Sequence, residues 1–565
     1  MENTWKVKPT KEKEAQNLID ELGISPMTAI LLTNRGIDEP DEAKKFLACD
    51  LNDLHSPLLL KDMKKAITRI KETISKKEKI MIFGDFDVDG TTGTYILVET
   101  IKLIGGKVEH YFPNRLTDSY GLNNKAIDYA IDNGISLIVT VDCGIRGNKV
   151  INYAKGKGID VIVTDHHEQG ELLPEAKAII NPKQKGCKYP DKDLAGVGVA
   201  FKLAQALVKE YNLDFDEFSF LDMVCLGTVA DIVPLKGENR ILVKNGLKKL
   251  MRTGNIGLNA LIDVSALRGK EIRPGHISFW LAPRINAAGR LATADEALKL
   301  FQTDSRGEAH DIAHHLNKEN TERQDIQQKI LEEAIQKVED EIDLDRETCI
   351  VLADDGWHKG VIGIVASKIV EEYHRPTILI AIEGNIGSGS GRSIPNFHLL
   401  DAIESCKELF EKYGGHTQAA GIKMDKKNIG KLRKKINEYA KKIISVDDLI
   451  PKINLDAQLK IWEVNEKLVK EIDKLTPFGI GNPKPVFFST NLSLKDYPRI
   501  LKEKHIRMKL YDHSETIDAI GFNMAGFYDD VTKNSGSIAV AYSPEINEWE
   551  GNKTMNLVLK DIKVR

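Results

Sequence analysis

Residues 80–93, Ile-Met-Ile-Phe-Gly-Asp-Phe-Asp-Val-Asp-Gly-Thr-Thr-Gly, constrain this chain most, because an apolar run leads straight into three carboxylates at alternate positions, Asp85, Asp87 and Asp89. The run reads as a buried strand, and alternation along extended chain puts the three acids on one side. Like charges at that spacing repel one another and lose hydration near a core, so a divalent cation is the natural neutraliser. The same pattern opens a calcium-binding EF-hand loop, but that loop's twelfth position falls on Ile96, where a bidentate Glu is required, and a strand leads in where a helix should. A solvated acidic turn is the other bland reading, and the tight backbone implied by Gly84, Gly90 and Gly93 speaks against it. Helical periodicity over 91–103 then sets the acids at a strand C-terminus facing a helix N-terminus, which favours phosphate.

Two later stretches repeat this grammar. An apolar strand over 136–141 ends in Asp142-Cys-Gly144, and another over 160–164 ends in Asp165-His166-His167. Strand C-termini of a parallel sheet converge on one edge, so these groups can meet around metal although dozens of residues separate them. A lone histidine in such a place is ordinarily structural; three strand-end clusters in succession point to a metal site. A fourth motif, Gly227-Thr-Val-Ala-Asp231-Ile-Val-Pro, follows an apolar helical run, and its Asp231 needs a partner among apolar neighbours.

In this order the four motifs resemble those of the DHH phosphoesterase superfamily, and within it the RecJ single-strand-specific exonucleases. The resemblance implies two Mn2+ or Mg2+ ions per active site, held by Asp87, Asp89, Asp142, His166 and Asp231, with Asp89 and Asp142 bridging. It also implies that Asp85 orients ligands or touches metal, and that His167 stays off the metals and assists at the scissile phosphate. Oxygen donors with one imidazole suit manganese or magnesium better than zinc. Many DHH enzymes carry a histidine two residues before Asp85; Phe83 stands there, which predicts a weaker second metal.

At 565 residues the chain exceeds the size near which single cores stop growing, about 250–300 residues, so several domains are expected. Strand and helix alternate over 80–83, 91–103, 107–112, 124–132, 137–141, 148–155, 161–164 and 178–180, arguing for a parallel α/β sheet with ligands at its carboxyl edge. The first 75 or so residues carry no chemistry, and 196–252 reads as mainly helical. Residues 305–340, highly charged with sparse apolar positions, read as a long helix joining two domains across solvent. On it His310 and His314 lie four apart but have no third ligand at matching spacing, so they read as solvated. A smaller α/β unit follows, and short runs beyond 449 predict a small β-barrel of the OB-fold kind. The expected division is 1–304 (DHH catalytic domain with an N-terminal extension), 305–340 (connecting helix), 341–450 (DHHA1 domain) and 451–565 (OB-fold).

Several basic residues fit an anionic substrate. Arg115 lies in a loop and reads as a surface ion pair, while the resemblance implies a phosphate clamp. Arg284, Asn286 and Arg290 lie among small residues in Pro-Arg-Ile-Asn-Ala-Ala-Gly-Arg; Arg forks suit phosphate, and a buried Arg–carboxylate lock is the alternative. RecJ-like proteins carry a similar segment. Residues 387–393 read as a glycine-serine loop in which the backbone around Ser390 and Gly391 wraps a phosphate and Arg392 supplies charge, or as a plain turn. Together with Tyr413-Gly-Gly-His416 and Ala419-Ala-Gly421 this resembles the DHHA1 domain, making His416 a substrate contact or a histidine packed at a helix end. Tyr497, Arg499, Lys502, Lys504, Arg507 and Lys509 form the best nucleic-acid patch, with a solvated strand face as the bland alternative. Pro477-Phe-Gly-x-Gly-Asn-Pro483 precedes it, as in RecJ-like proteins.

A net charge of −4 gives no global attraction to nucleic acid, and 6% aromatics leave limited stacking surface, so local patches must carry binding. Six scattered cysteines without CxxC or disulfide spacing suit a reducing cytoplasm, and no signal or membrane-length apolar run is visible. By resemblance, the chain hydrolyses single-stranded DNA from the 5′ end to 5′-mononucleotides in repair and recombination, as a monomer off the membrane, beside a RecQ-type helicase and a single-strand-binding protein. The alternatives are a DHH phosphodiesterase of short oligonucleotides or cyclic dinucleotides, which would lack the terminal barrel, and a non-catalytic DNA-binding scaffold, which would have broken metal motifs.

Overall fold

The structure is a computed structural model, and it describes residues 3–114, 118, 121–291, 294–512, 515–549 and 552–564. Among the described residues the catalytic sheet has five parallel strands in the order Lys107–Tyr111, Lys79–Gly84, Ile135–Val141, Asp160–Thr164, Ala178–Ile180. The strands Lys79–Gly84, Ile135–Val141 and Asp160–Thr164 are almost wholly buried, as apolar runs covered on both faces by helices must be, while the edge strand Lys107–Tyr111 is half-exposed. One face packs on helices Val88–Leu103, Gly196–Glu210 and Leu221–Ala230, the other on Asn124–Asp132 and Asn148–Gly156. The order runs outward in both directions from Lys79–Gly84 and Ile135–Val141, so the reversal point lies where Asp85 and Asp142 leave the sheet.

The helix expected over 305–340 is Arg306–Glu341, N-capped by Ser305 Oγ accepting from Glu308 N. It does not cross open solvent. Ala309, Ala313 and Leu316 join the catalytic core, while Ile330, Ala334 and Val338 join the core of the next domain. Sparse apolar positions suffice because each half presents a narrow stripe of small residues to its own neighbour.

Among the described residues the second domain's sheet runs Phe410–Gly415, Ala419–Asp425, Ile386–Arg392, Thr377–Glu383, Ile350–Asp354. Residues Ile386–Arg392 correct the expected glycine-serine loop, being a central strand hydrogen-bonded on both sides. The glycines are there for packing. A Cβ at Gly389 would lie 2.6 Å from Ile422 Cγ1, so only hydrogen fits between the strand and the core below it.

The C-terminal sheet closes through a pairing of Phe487–Leu494 with His505–Tyr511 in addition to its continuous ladder, giving the expected barrel. The N-terminal extension, expected to go with the catalytic half, puts its apolar side chains elsewhere. Leu18, Leu31, Leu32 and Ala43 share a core with Leu459, Phe487 and Tyr542, and Thr4–Val7 pairs in parallel with Lys452–Leu455. Its charged sequence hid this, since the few apolar positions are complementary to a surface more than 400 residues away. The Pro477–Pro483 segment joins barrel to catalytic body: buried Arg240 donates to the carbonyls of Leu475, Thr476 and Pro477, and Leu235 N donates to Ile480 O at 2.7 Å.

Candidate metal centre and substrate cleft

Asp85 leaves its strand buried, and Asp87 then caps the following helix, its Oδ1 accepting from Gly90 N at 3.0 Å. Asp89, in the first turn, turns inward, and its two oxygens accept from Gly196 N and Val197 N, each at 2.7 Å. Those amides belong to the start of Gly196–Glu210, so one helix N-terminus orients an acid borne by another. Asp142 adopts φ 61°, a left-handed conformation that Asp tolerates better than most residues, and packs against Gly196, where a Cβ would lie 2.7 Å from its own Cβ. His166 Nε2 stands 3.1 Å from Asp142 Oδ1, 3.5 Å from Asp231 Oδ2 and 4.0 Å from Asp89 Oδ2. Carboxylates from three separate segments therefore converge on an imidazole borne by a fourth, and Asp85 and Asp87 adjoin Asp142 in the same cluster.

The electrostatics of this cluster are those of a cation site. Burial pushes Asp89 up to about 7, with repulsion from Asp87 adding to it and the two backbone amides opposing it. Burial, then the charge of Asp89, raises Asp142 and Asp231 well above the carboxylate range. Burial, helped by His167, brings His166 down to about 3, leaving it a neutral imidazole, the form that ligates metal. His166 Nε2 and Asp231 Oδ2 are buried and make no hydrogen bond among the described residues. Acids forced upward by their own crowding, around a neutral imidazole with an unsatisfied nitrogen, fit a divalent cation with oxygen and nitrogen donors.

His167 points another way. Its Nδ1 lies 2.8 Å from Asp165 Oδ1, which also accepts from the backbone N–H of His166 and His167, while Asp165 Oδ2 accepts from Ile145 N. Burial works against a charged His167, but the Asp165 hydrogen bond and the surrounding carboxylates outweigh it and raise its pKa. Asp165 was missed as a functional residue, although its place directly before the two histidines was a usable signal. Holding Nδ1 fixes the orientation of the His167 ring.

Asp165 and His167, beside the cluster, line a cleft of about 970 Å³ between the two α/β domains, with Arg146 on the same side and Tyr413, Gly415 and His416 on the other. His416 occupies the turn between Phe410–Gly415 and Ala419–Asp425, its N–H donating to Ala419 O at 2.8 Å. It is not a helix-end histidine. Burial lowers its pKa, and the charges of Arg146, His167 and Lys183 lower it further.

Comparison with known proteins agrees with this geometry. Residues 79–228 match the model of the DHH family N-terminal domain, 346–442 that of the DHHA1 domain and 455–561 that of the RecJ OB domain. The single-stranded-DNA-specific exonuclease RecJ of Bacillus subtilis (strain 168) is 39% identical over 563 residues, 99% of this chain and 71% of that protein. The exonuclease of the same name from Escherichia coli (strain K12) is 33% identical, with 95% of this chain and 96% of that protein covered. The chain belongs to the RecJ family. The crystal structure of RecJ from Thermus thermophilus in complex with Mn2+ superimposes with a TM-score of 0.86 at 28% identity, covering 100% of this chain and 80% of that one, and a Mg2+ complex gives 0.80.

The remaining expected RecJ-type contacts divide. Arg115 and the Arg290 side chain lie outside the described residues. Asn286 is committed to the frame, its Oδ1 accepting from Val88 N at 3.2 Å and so bracing the helix that bears Asp89. Arg284 donates to Asn317 Oδ1 and to Trp280 O. Ser390 and Arg392 project from their strand towards the first turn of helix Ile362–Tyr373, where a Cβ on Gly363 would lie 2.8 Å from Ser390 Oγ and 3.0 Å from Arg392 Nη2. Arg392 Nη1 donates to Ser390 Oγ at 3.1 Å and Gly391 O at 2.7 Å. Tyr497, Arg499, Lys502, Lys504, Arg507 and Lys509 are all exposed on or beside the hairpin of Arg499–Leu501 and His505–Tyr511, where Ile506, Met508 and Leu510 point inward. Arg507 is drawn towards Asp518, 3.5 Å away.

Proposed function

We propose that the protein is a divalent-metal-dependent exonuclease that removes 5′-mononucleotides from the 5′ end of single-stranded DNA, in DNA repair and recombination. The observation that carries this is the convergence of Asp89, Asp142 and Asp231 on His166, next to a cleft that His167 lines. Asp87, Asp89, Asp142, His166 and Asp231 would hold two ions, and Asp85 would steady Asp142 from behind. Mn2+ or Mg2+ bound there supplies a polarised water and neutralises charge developing on the phosphoryl oxygens. The chain's own groups do the rest. Gly196 and Val197 amides fix Asp89 so that its oxygens need no reorganisation. Asp165 holds His167 Nδ1, so that Nε2 presents its proton to the oxygen leaving the scissile phosphate. Ser390 and Arg392, beside a helix N-terminus, would grip the terminal phosphate, and a helix start favours the same anion.

The matched RecJ OB domain favours long single strands over the short oligonucleotides of the alternative phosphodiesterase reading. Assembly of all the acids likewise favours catalysis over a scaffold role. An enzyme confined to single strands works beside a helicase of RecQ type and a single-strand-binding protein that open and hold its substrate. We assign it to the cytoplasm as a monomer; no described helix is long and apolar enough to cross a membrane, and among the described residues no cysteine is bridged. Single-stranded DNA labelled at either end tests the polarity: with Mn2+ the 5′ label is expected to be released as mononucleotide before any 3′ label, and the reverse order overturns it.

A further inference from the structure

Away from the catalytic cluster, three metal-ligating groups meet where helix Asp295–Gln302 packs on the long helix Arg306–Glu341. His315 and Glu319 are four residues apart and so lie one above the other on one helix face, and Glu296 reaches them from the first turn of the shorter helix. One donor atom from each lies within 4.8 Å of the other two. His315 Nδ1 is already 2.8 Å from Glu296 Oε2. Glu319 is the observation that asks for more. It is only 8% exposed, yet its Oε2 is buried with no hydrogen-bond partner, and among the described residues no lysine or arginine pairs with it. A carboxylate can be left so only at the cost of its hydration, unless a cation or a proton meets it.

We propose that Glu296, His315 and Glu319 form a further divalent-cation site, separate from the catalytic cluster, whose occupant ties the short helix to the long one. Two carboxylates and an imidazole suit Zn2+ or Mn2+, with water completing the coordination on the exposed side of His315. Donors spread over up to 4.8 Å close onto an ion with small side-chain rotations, since ligand bonds of about 2.0–2.2 Å require them somewhat nearer together. The neighbouring pair His310 and His314, whose ring centroids lie 4.4 Å apart with the planes tilted by 53°, gathers no third ligand among the described residues. Sequence spacing pointed to that pair and passed over His315, because the acid completing its site comes from another helix.

The ion would hold the short helix Asp295–Gln302 against the long helix on which it packs. The test is the metal content of the full-length chain after equilibrium dialysis against Zn2+, compared between wild type, His315→Ala and Glu319→Gln. Wild type is expected to retain one Zn2+ per chain more than either variant and to gain more in melting temperature on adding Zn2+. His315 is exposed, so its variant folds, and its manganese-dependent nuclease rate is expected to match wild type. Equal Zn2+ content in wild type and His315→Ala overturns the proposal and leaves the catalytic reading untouched.

Discussion

At the residue scale, the crowded acids make the metal-free protein a strained one. Asp89 carries a folded-state pKa of about 7, so the folded chain binds a proton there that the unfolded chain has already released. Stability from this group is therefore greatest below about pH 4, the ordinary carboxylate range, and falls as pH rises towards 7. Thermal melts of chelator-treated protein are expected to show the midpoint dropping across that window, with Mn2+ reversing the drop most strongly near pH 7 and above. A flat profile without metal would mean that Asp89 is not crowded as described. The acids themselves were legible in the sequence, because a carboxylate directly after an apolar strand needs a reason. Asp165 and the amides of Gly196 and Val197 were not, because their work lies in holding other residues and leaves no mark of its own.

At the element scale, periodicity located the strands and most helices, and chemistry misled where glycine was concerned. Gly387, Gly389 and Gly391 alternate with Ser388 and Ser390, a pattern open to either a phosphate-wrapping loop or a strand with one face pressed on a core. The structure has the second, because Ile380, Ile422 and Leu399 occupy the space that side chains would need. Gly389→Val is expected to destabilise the fold by about 1–3 kcal/mol through overpacking, whereas Ser388→Ala, on the opposite face, should be near neutral. Urea midpoints distinguish the cases, and an equal tolerance of both substitutions would favour a loop. The long helix shows the converse: its length and bounds were plain from the absence of glycine and proline after Gly307, but its two stripes became visible only beside the surfaces they cover.

At the scale of the whole molecule, the barrel is bound to both ends of the chain. The N-terminal residues share its core, and Arg240, its guanidinium 3.7 Å above the Phe46 ring, clamps the Pro477–Pro483 segment from the catalytic side. Deleting the barrel would therefore expose Leu18, Leu31 and Leu32, and point substitutions are the cleaner probe of its role. Replacing Lys502, Lys504 and Lys509 together by Ala is expected to weaken binding of long single strands. It should also flatten the dependence of log affinity on log salt by about 2, at about 0.7 for each phosphate no longer neutralised. An unchanged slope would remove the hairpin from the DNA path. Such long-range bonds are invisible to spacing within the sequence, which is why the domain order could be read and the closure of the two termini on one another could not.

The central claim is that strand tips far apart in sequence build one cation-holding centre for phosphodiester hydrolysis. Asp142→Asn tests it most directly, since Asn keeps the left-handed backbone at that position and removes a charge from a repulsive cluster, so the fold should survive. The measurement is Mn2+-dependent release of mononucleotides from 5′-labelled single-stranded DNA by wild type and variant. Wild type is expected to release them and the variant to lose that turnover by several orders of magnitude while melting cooperatively; turnover by the variant at the wild-type rate would contradict the account.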